Sequence, residues 1–312
     1  MCAWVGWYRG RRVGVVGSGT SGAARTLGGA SVTAAAAPAD TCFVHLHGTR
    51  MASSAITISI HGVSVPITAP PGLDPSLALS FHPFQQWVAS LDPRFAVSAI
   101  ALQCVDLFGP RVGFLKFVAT ATFAGRPVPG VVFLRGGAVA VLPVLRCGGA
   151  RWVVCCRQPR LAVGRHFLEI PAGMLDGSGA FSGVAAKEMK EETGLAITEA
   201  ELVDLTALAY CGEGGGAGGG GGGGADGSVG EGMYPSVGAC DEFLRLLYYA
   251  KDVEPDFLRE LQGRVAGNAE ENEVIHIELV RYEELWKRCS DGKSLAAMIL
   301  LERLAAEGRV AL

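Results

Sequence analysis

PAGMLDGSGAFSGVAAKEMKEETGL, from Pro171 to Leu195, opens on a turn signal and closes on a glycine. The spacing predicts a short helix in which Val184, Ala185 and Met189 face a core, and Gly194 falls where a helix C-terminus favours a left-handed residue. Three carboxylates ride on that helix. Glu188 and Glu192 are four apart and point the same way from successive turns, while Glu191, three from Glu188, lies on the adjoining side. Like charges at this spacing repel by about a few tenths of a kcal/mol, so a partner is expected to offset them. A hard divalent cation does so with oxygen ligands, and a solvated face paired by Lys187 and Lys190 is the plainer alternative.

Outward from this helix, the N-terminal side is β-rich. Short strands are expected over 55–67 around His61-Gly62, then over 98–105, 112–123, 130–134, 138–145 and 151–156, separated by Gly/Pro turns. A helix fits 84–91. On the C-terminal side, strand-like runs at 202–209, 243–250 and 274–279 alternate with helical patterns at 282–288 and 295–307. Residues 212–232 are mostly glycine, which cannot offset its backbone entropy by packing, and read as a surface insert. Residues 1–39 hold Arg9, Arg11, Arg12 and Arg25 with no Asp or Glu, a composition that suits an organellar transit peptide ending near residue 50. Within it, Gly17-Ser-Gly19-Thr-Ser-Gly22 fits a dinucleotide fingerprint, but the alanine tract that follows offers no second buried strand.

Composition bounds the remaining classes. With 312 residues, 49% of them hydrophobic and only 18% charged, the chain can bury a sizeable core, which excludes wholesale disorder. A net charge of -3 gives no basic field for a polyanion, so nucleic acid is not expected as a partner. Apolar stretches such as 136–145 fall short of the roughly 18–20 residues of a membrane span, so none is expected. Nine cysteines without a CxxC or Cys/His zinc spacing point to free thiols in a reducing compartment, with Cys155 and Cys156 as buried small hydrophobes.

The segment resembles the Nudix box, G-x5-E-x7-R-E-U-x-E-E-x-G-U with U aliphatic. Gly173, Glu188, Met189, Glu191, Glu192, Gly194 and Leu195 fall in register, whereas Gly179 stands at the first glutamate and Lys187 at the arginine. Gln158-Pro-Arg160 followed by Leu168-Glu169-Ile-Pro-Ala172-Gly173 is similar to the ADP-ribose and ADP-sugar pyrophosphatases of that superfamily. So are the loop Ser236-Val-Gly238-Ala-Cys-Asp241-Glu242, with Val237 in place of a proline, and the acidic run Glu270-Glu271-Asn272-Glu273. Further segments, among them Ile60-His-Gly62, Phe84-Gln-Gln-Trp87 and Gln103 to Gly109, look like the plant plastid ADP-sugar diphosphatases.

The resemblance implies an α+β protein: a Nudix fold, an α/β/α sandwich around a mixed sheet, over 133–312, preceded by a small β-rich region over 51–132. It implies Mg²⁺, or Mn²⁺, held by Glu188, Glu192, Glu169 and the carbonyl of Ala172, and Glu191 able to bind a further ion. Glu271 would act as general base, with Glu273 the close alternative. Arg160, Glu242 and Ser236 would meet the substrate. The implied reaction is hydrolysis of an ADP-sugar to AMP and sugar 1-phosphate. ADP-ribose or a broader range of nucleoside diphosphates is the alternative substrate set, and binding without cleavage a different class of function. A homodimer in a plastid is expected, with mitochondrion or cytoplasm as the other locations.

Overall fold

A computed structural model of the chain describes residues 55–175, 181–210, 232–267 and 274–312. The expected leader, Gly179, Glu271, Glu273 and all of the glycine insert but Gly232 lie outside the described residues.

The N-terminal strands build one sheet. β1 (Ala55–Ile60), β2 (Val63–Thr68), β3 (Phe95–Phe108), β4 (Arg111–Phe123) and β5 (Arg126–Val128) lie in that order, and β6 (Val131–Leu134) pairs with β4. The β1–β2 hairpin closes on His61 and Gly62, both at positive φ (50° and 79°), the two-residue turn whose twist matches that of its strands. Alternation along β4 buries Leu115, Phe117 and Ala119. Against them packs α2 (His82–Ser90), which follows the one-turn α1 (Leu77–Ser80) and brings Phe84 edge-on to Phe117 at 5.8 Å.

The second sheet is mixed. Its order is β11 (Val203–Asp204), β12 (Leu244–Asp252), β7 (Ala138–Cys147), β8 (Ala150–Arg160), β14 (Ile275–Arg281), β13 (Val265–Ala266), with β10 (Ala172–Met174) on β7 and β9 (Arg165–Glu169) on β8. β12 runs parallel to β7, and the other pairs are antiparallel. β7 is apolar and buried from Ala138 to Leu145 because both of its faces are covered. Ala138, Ala140, Leu142 and Val144 face α4 (Leu205–Tyr210), α6 (Leu285–Arg288) and α7 (Gly292–Ala306), through Leu205, Leu285, Ala297, Leu301 and Leu304. Val139, Val141 and Leu145 face α3 (Phe181–Glu188) and α5 (Pro255–Leu261), through Ala185, Met189 and Leu261. The result is the α/β/α sandwich around a mixed sheet that the resemblance implies, behind a β-rich N-terminal sheet.

Two local expectations are corrected. The segment 202–209 is a strand for two residues only and then turns into α4, because the Asp204 carboxylate accepts the Ala207 N–H (2.7 Å) and the Thr206 hydroxyl (2.6 Å) and caps a helix of Leu and Ala. Helix α5 had no counterpart in the sequence pattern; Pro255 starts it and Leu261 alone is fully buried.

The two sheets are knitted where the chain passes from β6 to β7. Phe133 donates to Ala239 O (2.7 Å) and accepts from Asp241 N (3.3 Å), and the Asp241 carboxylate takes the N–H groups of Arg135 (2.8 Å) and Gly136. The Ser236–Glu242 loop is thereby fixed beside the start of β7 and β12.

Candidate active site

β10 is only three residues long, yet it is the floor of the site. Ala172 and Gly173 pair with Ala140 and Val139, and Leu175 N–H reaches Gly137 O at 3.0 Å, which pins the strand to the covered edge of β7. Helix α3 lies across it. Ala185 and Met189, one turn apart, are fully buried against Val139 and Val141, so Glu188 and Glu192, one turn apart on the next face, are carried to β10.

The Glu188 carboxyl rests directly on Gly173: a Cβ at that position would lie 2.0 Å from its Oε1 and 2.1 Å from its carboxyl carbon, a space that glycine alone leaves. Glu192 is buried at 3% exposure, and its Oε2 accepts the Ala172 N–H (3.0 Å) and the Cys156 thiol (3.7 Å). After Glu188 the helix widens to a π-turn, Met189–Thr193, a form that recurs at functional sites. It ends on Gly194 at φ 72°, whose N–H returns to Lys190 O (2.9 Å). Glu191 sits at the rim, half-exposed, 3.8 Å from the Lys187 ammonium.

Glu169 ends β9 beside Cys156 and is 4% exposed. Its Oε1 receives Nε–H of Arg160 at 2.6 Å and its Oε2 the ammonium of Lys293. Burial alone would raise the Glu169 pKa, but the Arg160 and Lys293 charges outweigh it and hold the carboxyl below its usual range. Burial, followed by the charges of Glu192, Cys155 and Glu169, pushes the Cys156 thiol well up, so it stays a protonated donor.

Glu188, Glu192, Ala172, Glu169 and Arg160 are thus gathered on β8–β10 and α3. Glu242 and Ser236 belong to the loop between the sheets: Glu242 lies 3.2 Å from the Arg135 guanidinium, and the Ser236 carbonyl accepts Cys240 N–H (3.1 Å) in a turn. Glu271 and Glu273 are outside the described residues. Nothing in the residue pattern points to Lys293 or Arg135, because a lysine near a helix start and an arginine before a strand read as surface charge.

Hard oxygen donors on Glu188 and Glu192 and a Gly173 cradle that admits a carboxylate fit a divalent cation, and the residue whose carbonyl the resemblance adds to the set, Ala172, meets Glu192 through its N–H. Among the described residues no three His, Cys, Asp or Glu side chains already converge on one point, and Glu169 is committed to two cationic side chains.

A helix that lays two carboxylates over a glycine-bearing strand, inside an α/β/α sandwich, is the arrangement expected of a Nudix site. No family model matches the chain. "Nudix hydrolase 14, chloroplastic" of Arabidopsis thaliana is 37% identical over 238 residues, covering 73% of this chain and 72% of that protein. "Uncharacterized Nudix hydrolase P35G2.12" of Schizosaccharomyces pombe is 36% identical over 73 residues, 23% of this chain and 34% of that one. A solved structure described as "Crystal structure of ADP compounds hydrolase" aligns with a TM-score of 0.44 and 16% identity over 71% of this chain and 99% of its own. The chain belongs to the Nudix hydrolase family.

Proposed function

We propose that the protein hydrolyses the pyrophosphate of ADP-sugars, releasing AMP and sugar 1-phosphate, with Mg²⁺ or Mn²⁺ held by Glu188, Glu192 and the Ala172 carbonyl. The observation that carries this is the seating of Glu188 on Gly173 and of Glu192 on Ala172 N–H, two carboxylates brought to one strand at the expense of mutual repulsion. A divalent cation there would neutralise charge on the diphosphate and acidify the attacking water. The chain's own residues do the rest. Arg160, 40% exposed at its side chain, can offer its planar fork to phosphate oxygens. Glu271, or Glu273, would take the proton from the attacking water. Glu242, and with it Ser236 in the same loop, would line the substrate side, where Arg135 holds Glu242 in place.

The test is incubation of the full chain with ADP-glucose and ADP-ribose, with and without Mg²⁺, and chromatography of the products. Metal-dependent release of AMP that disappears in Glu192→Gln supports hydrolysis, and the ratio of rates picks the sugar. Nucleotide that raises the melting temperature without being cut refutes it in favour of a binding protein. The chloroplastic label of the Arabidopsis relative supports a plastid location, which a fluorescent fusion of the full chain tests. A homodimer is part of the same proposal, and light scattering that returns the monomer mass of 32.4 kDa would refute it.

A further inference from the structure

Residues Cys289 to Ser294, before and at the start of α7, grip three consecutive residues of the strand that leads into β10. Cys289 Sγ donates to Leu168 O (3.2 Å), the Lys293 ammonium binds Glu169 Oε2, and Ile170 N–H donates to Ser294 Oγ (3.2 Å). Ser294 is in turn fixed by the Asp291 carboxylate, which accepts its N–H (3.0 Å) and its hydroxyl (2.5 Å). Lys293 stands out in this set. Its side chain is 13% exposed, and it sits in the first turn of a helix, where the dipole disfavours a cation. Such a placement needs compensation, which comes from Glu169 and from Asp291 at 3.1 Å. Lys293 therefore bridges the Glu169 carboxylate to Asp291, the cap of its own helix.

The two oxygens of Glu169 are divided between two cations: Oε1 to Arg160 Nε, Oε2 to Lys293. Both carboxylate oxygens are thus engaged by cationic side chains, and the Arg160 bond runs from its Nε. Building on the pyrophosphatase reading, we propose that Lys293 is a positioning residue that commits Glu169 to Arg160 and away from the divalent cation, so that the Arg160 guanidinium is set at the edge of the diphosphate site. Glu169 is then the anchor of a substrate-facing arginine and not a metal ligand, and Lys293 determines which of the two it is.

The two roles separate in a pair of measurements on the full chain: Mn²⁺ binding without substrate, from the electron paramagnetic resonance signal of free Mn²⁺, and steady-state hydrolysis of ADP-ribose. Lys293→Met leaves Glu169 one cation short and nearer to the metal, so Mn²⁺ should bind about threefold or more tighter. Its KM should rise about fivefold or more with kcat little changed, since Arg160 loses its fixed contact. Lys293→Arg, which keeps the charge, should restore KM most of the way. The charge-balanced double variant Glu169→Gln/Lys293→Met should keep Mn²⁺ affinity within about twofold of wild type. The proposal is overturned if Lys293→Met weakens Mn²⁺ binding or leaves KM unchanged, or if the double variant loses about tenfold or more in Mn²⁺ affinity, as a missing ligand would. Should Lys293→Met fail to fold, the double variant, which removes both charges together, decides the matter. A wild-type chain that binds Mn²⁺ but cuts no substrate refutes the pyrophosphatase reading, and the Mn²⁺ comparisons still decide whether Glu169 is a ligand.

Discussion

Replacing Gly173 by alanine should separate function from stability. The added Cβ would lie 2.0 to 2.4 Å from Oε1, Cδ and Cγ of Glu188, so something must move. Gly173 is not at positive φ, and its backbone accepts alanine without strain. What has to give is the end of one flexible side chain at the rim of α3, while Ala185 and Met189 keep the helix packed on β7. Overpacking inside a rigid core costs roughly 1–3 kcal/mol, and a movable carboxylate puts this substitution at about 1 kcal/mol. For a chain of this size that lowers the melting temperature by about 2 °C. Metal binding should suffer far more, because the swing takes Glu188 away from Glu192 and the Ala172 carbonyl. A tenfold loss of Mn²⁺ affinity corresponds to about 1.4 kcal/mol, and loss of one ligand should cost at least that. Thermal denaturation with and without Mn²⁺, together with the hydrolysis assay, reads both quantities. An alanine variant that binds Mn²⁺ and cuts substrate within twofold of wild type would refute the placing of Glu188 at the metal. A fall of more than about 10 °C with affinity intact would make Gly173 a purely structural glycine.

Gly194→Ala serves as the contrast: at φ 72°, and with the movable Arg264 guanidinium nearest to its added Cβ, it should cost about 1 kcal/mol of stability and leave Mn²⁺ affinity unchanged, as denaturant titration and the Mn²⁺ assay would show. Glu192→Gln keeps an acceptor for the Ala172 N–H while it removes a buried charge, so metal-free protein should melt no lower than wild type while hydrolysis falls about a hundredfold or more. Peptide mapping after brief alkylation of native protein should find exposed Cys104 modified and buried Cys155 and Cys156 untouched, since burial holds both of these thiols well above their usual pKa. Hydrogen bonds and the charge of Arg94 lower Asp92 to about 2, so its contribution is full above the unfolded value near 3.8 and is lost as pH falls toward 2. The stability gap between wild type and Asp92→Asn should therefore be constant at neutral pH and close across that window, and a gap unchanged at pH 2 would contradict the assignment.

Much of the architecture was legible because the strands announce themselves. β7 is a short run of Ala, Val and Leu, broken only by Pro143, that suits a strand buried on both faces, and the His61-Gly62 turn sits where positive φ is needed. The pairing of Glu188 with Glu192 was legible from their four-residue spacing, whereas the π-turn over Met189–Thr193 that carries Glu192 was not. The segment 202–209 failed for a converse reason. Leu205 to Tyr210 is short, apolar and compatible with either period, and what settles it is Asp204 capping the next turn, a contact that no count of apolar residues contains.

The surroundings of Glu169 lay beyond the sequence for a deeper reason. Arg160 is nine residues from it, and Lys293 is 124 residues away, on a helix. The Nudix resemblance implies that Glu169 is a metal ligand, and a buried carboxylate does need a cation. The fold supplies two cations of its own, Arg160 and Lys293, one at each carboxylate oxygen. Two singly charged side chains offset a buried carboxylate only when the chain already holds them in place, and here the Asp291 cap, the Ser294 bond to Ile170 and the Cys289 bond to Leu168 do so. The role of a carboxylate in this site thus depends on which cation the tertiary structure delivers first, and that is decided by the register of α7 against β9, not by any spacing within the Nudix segment.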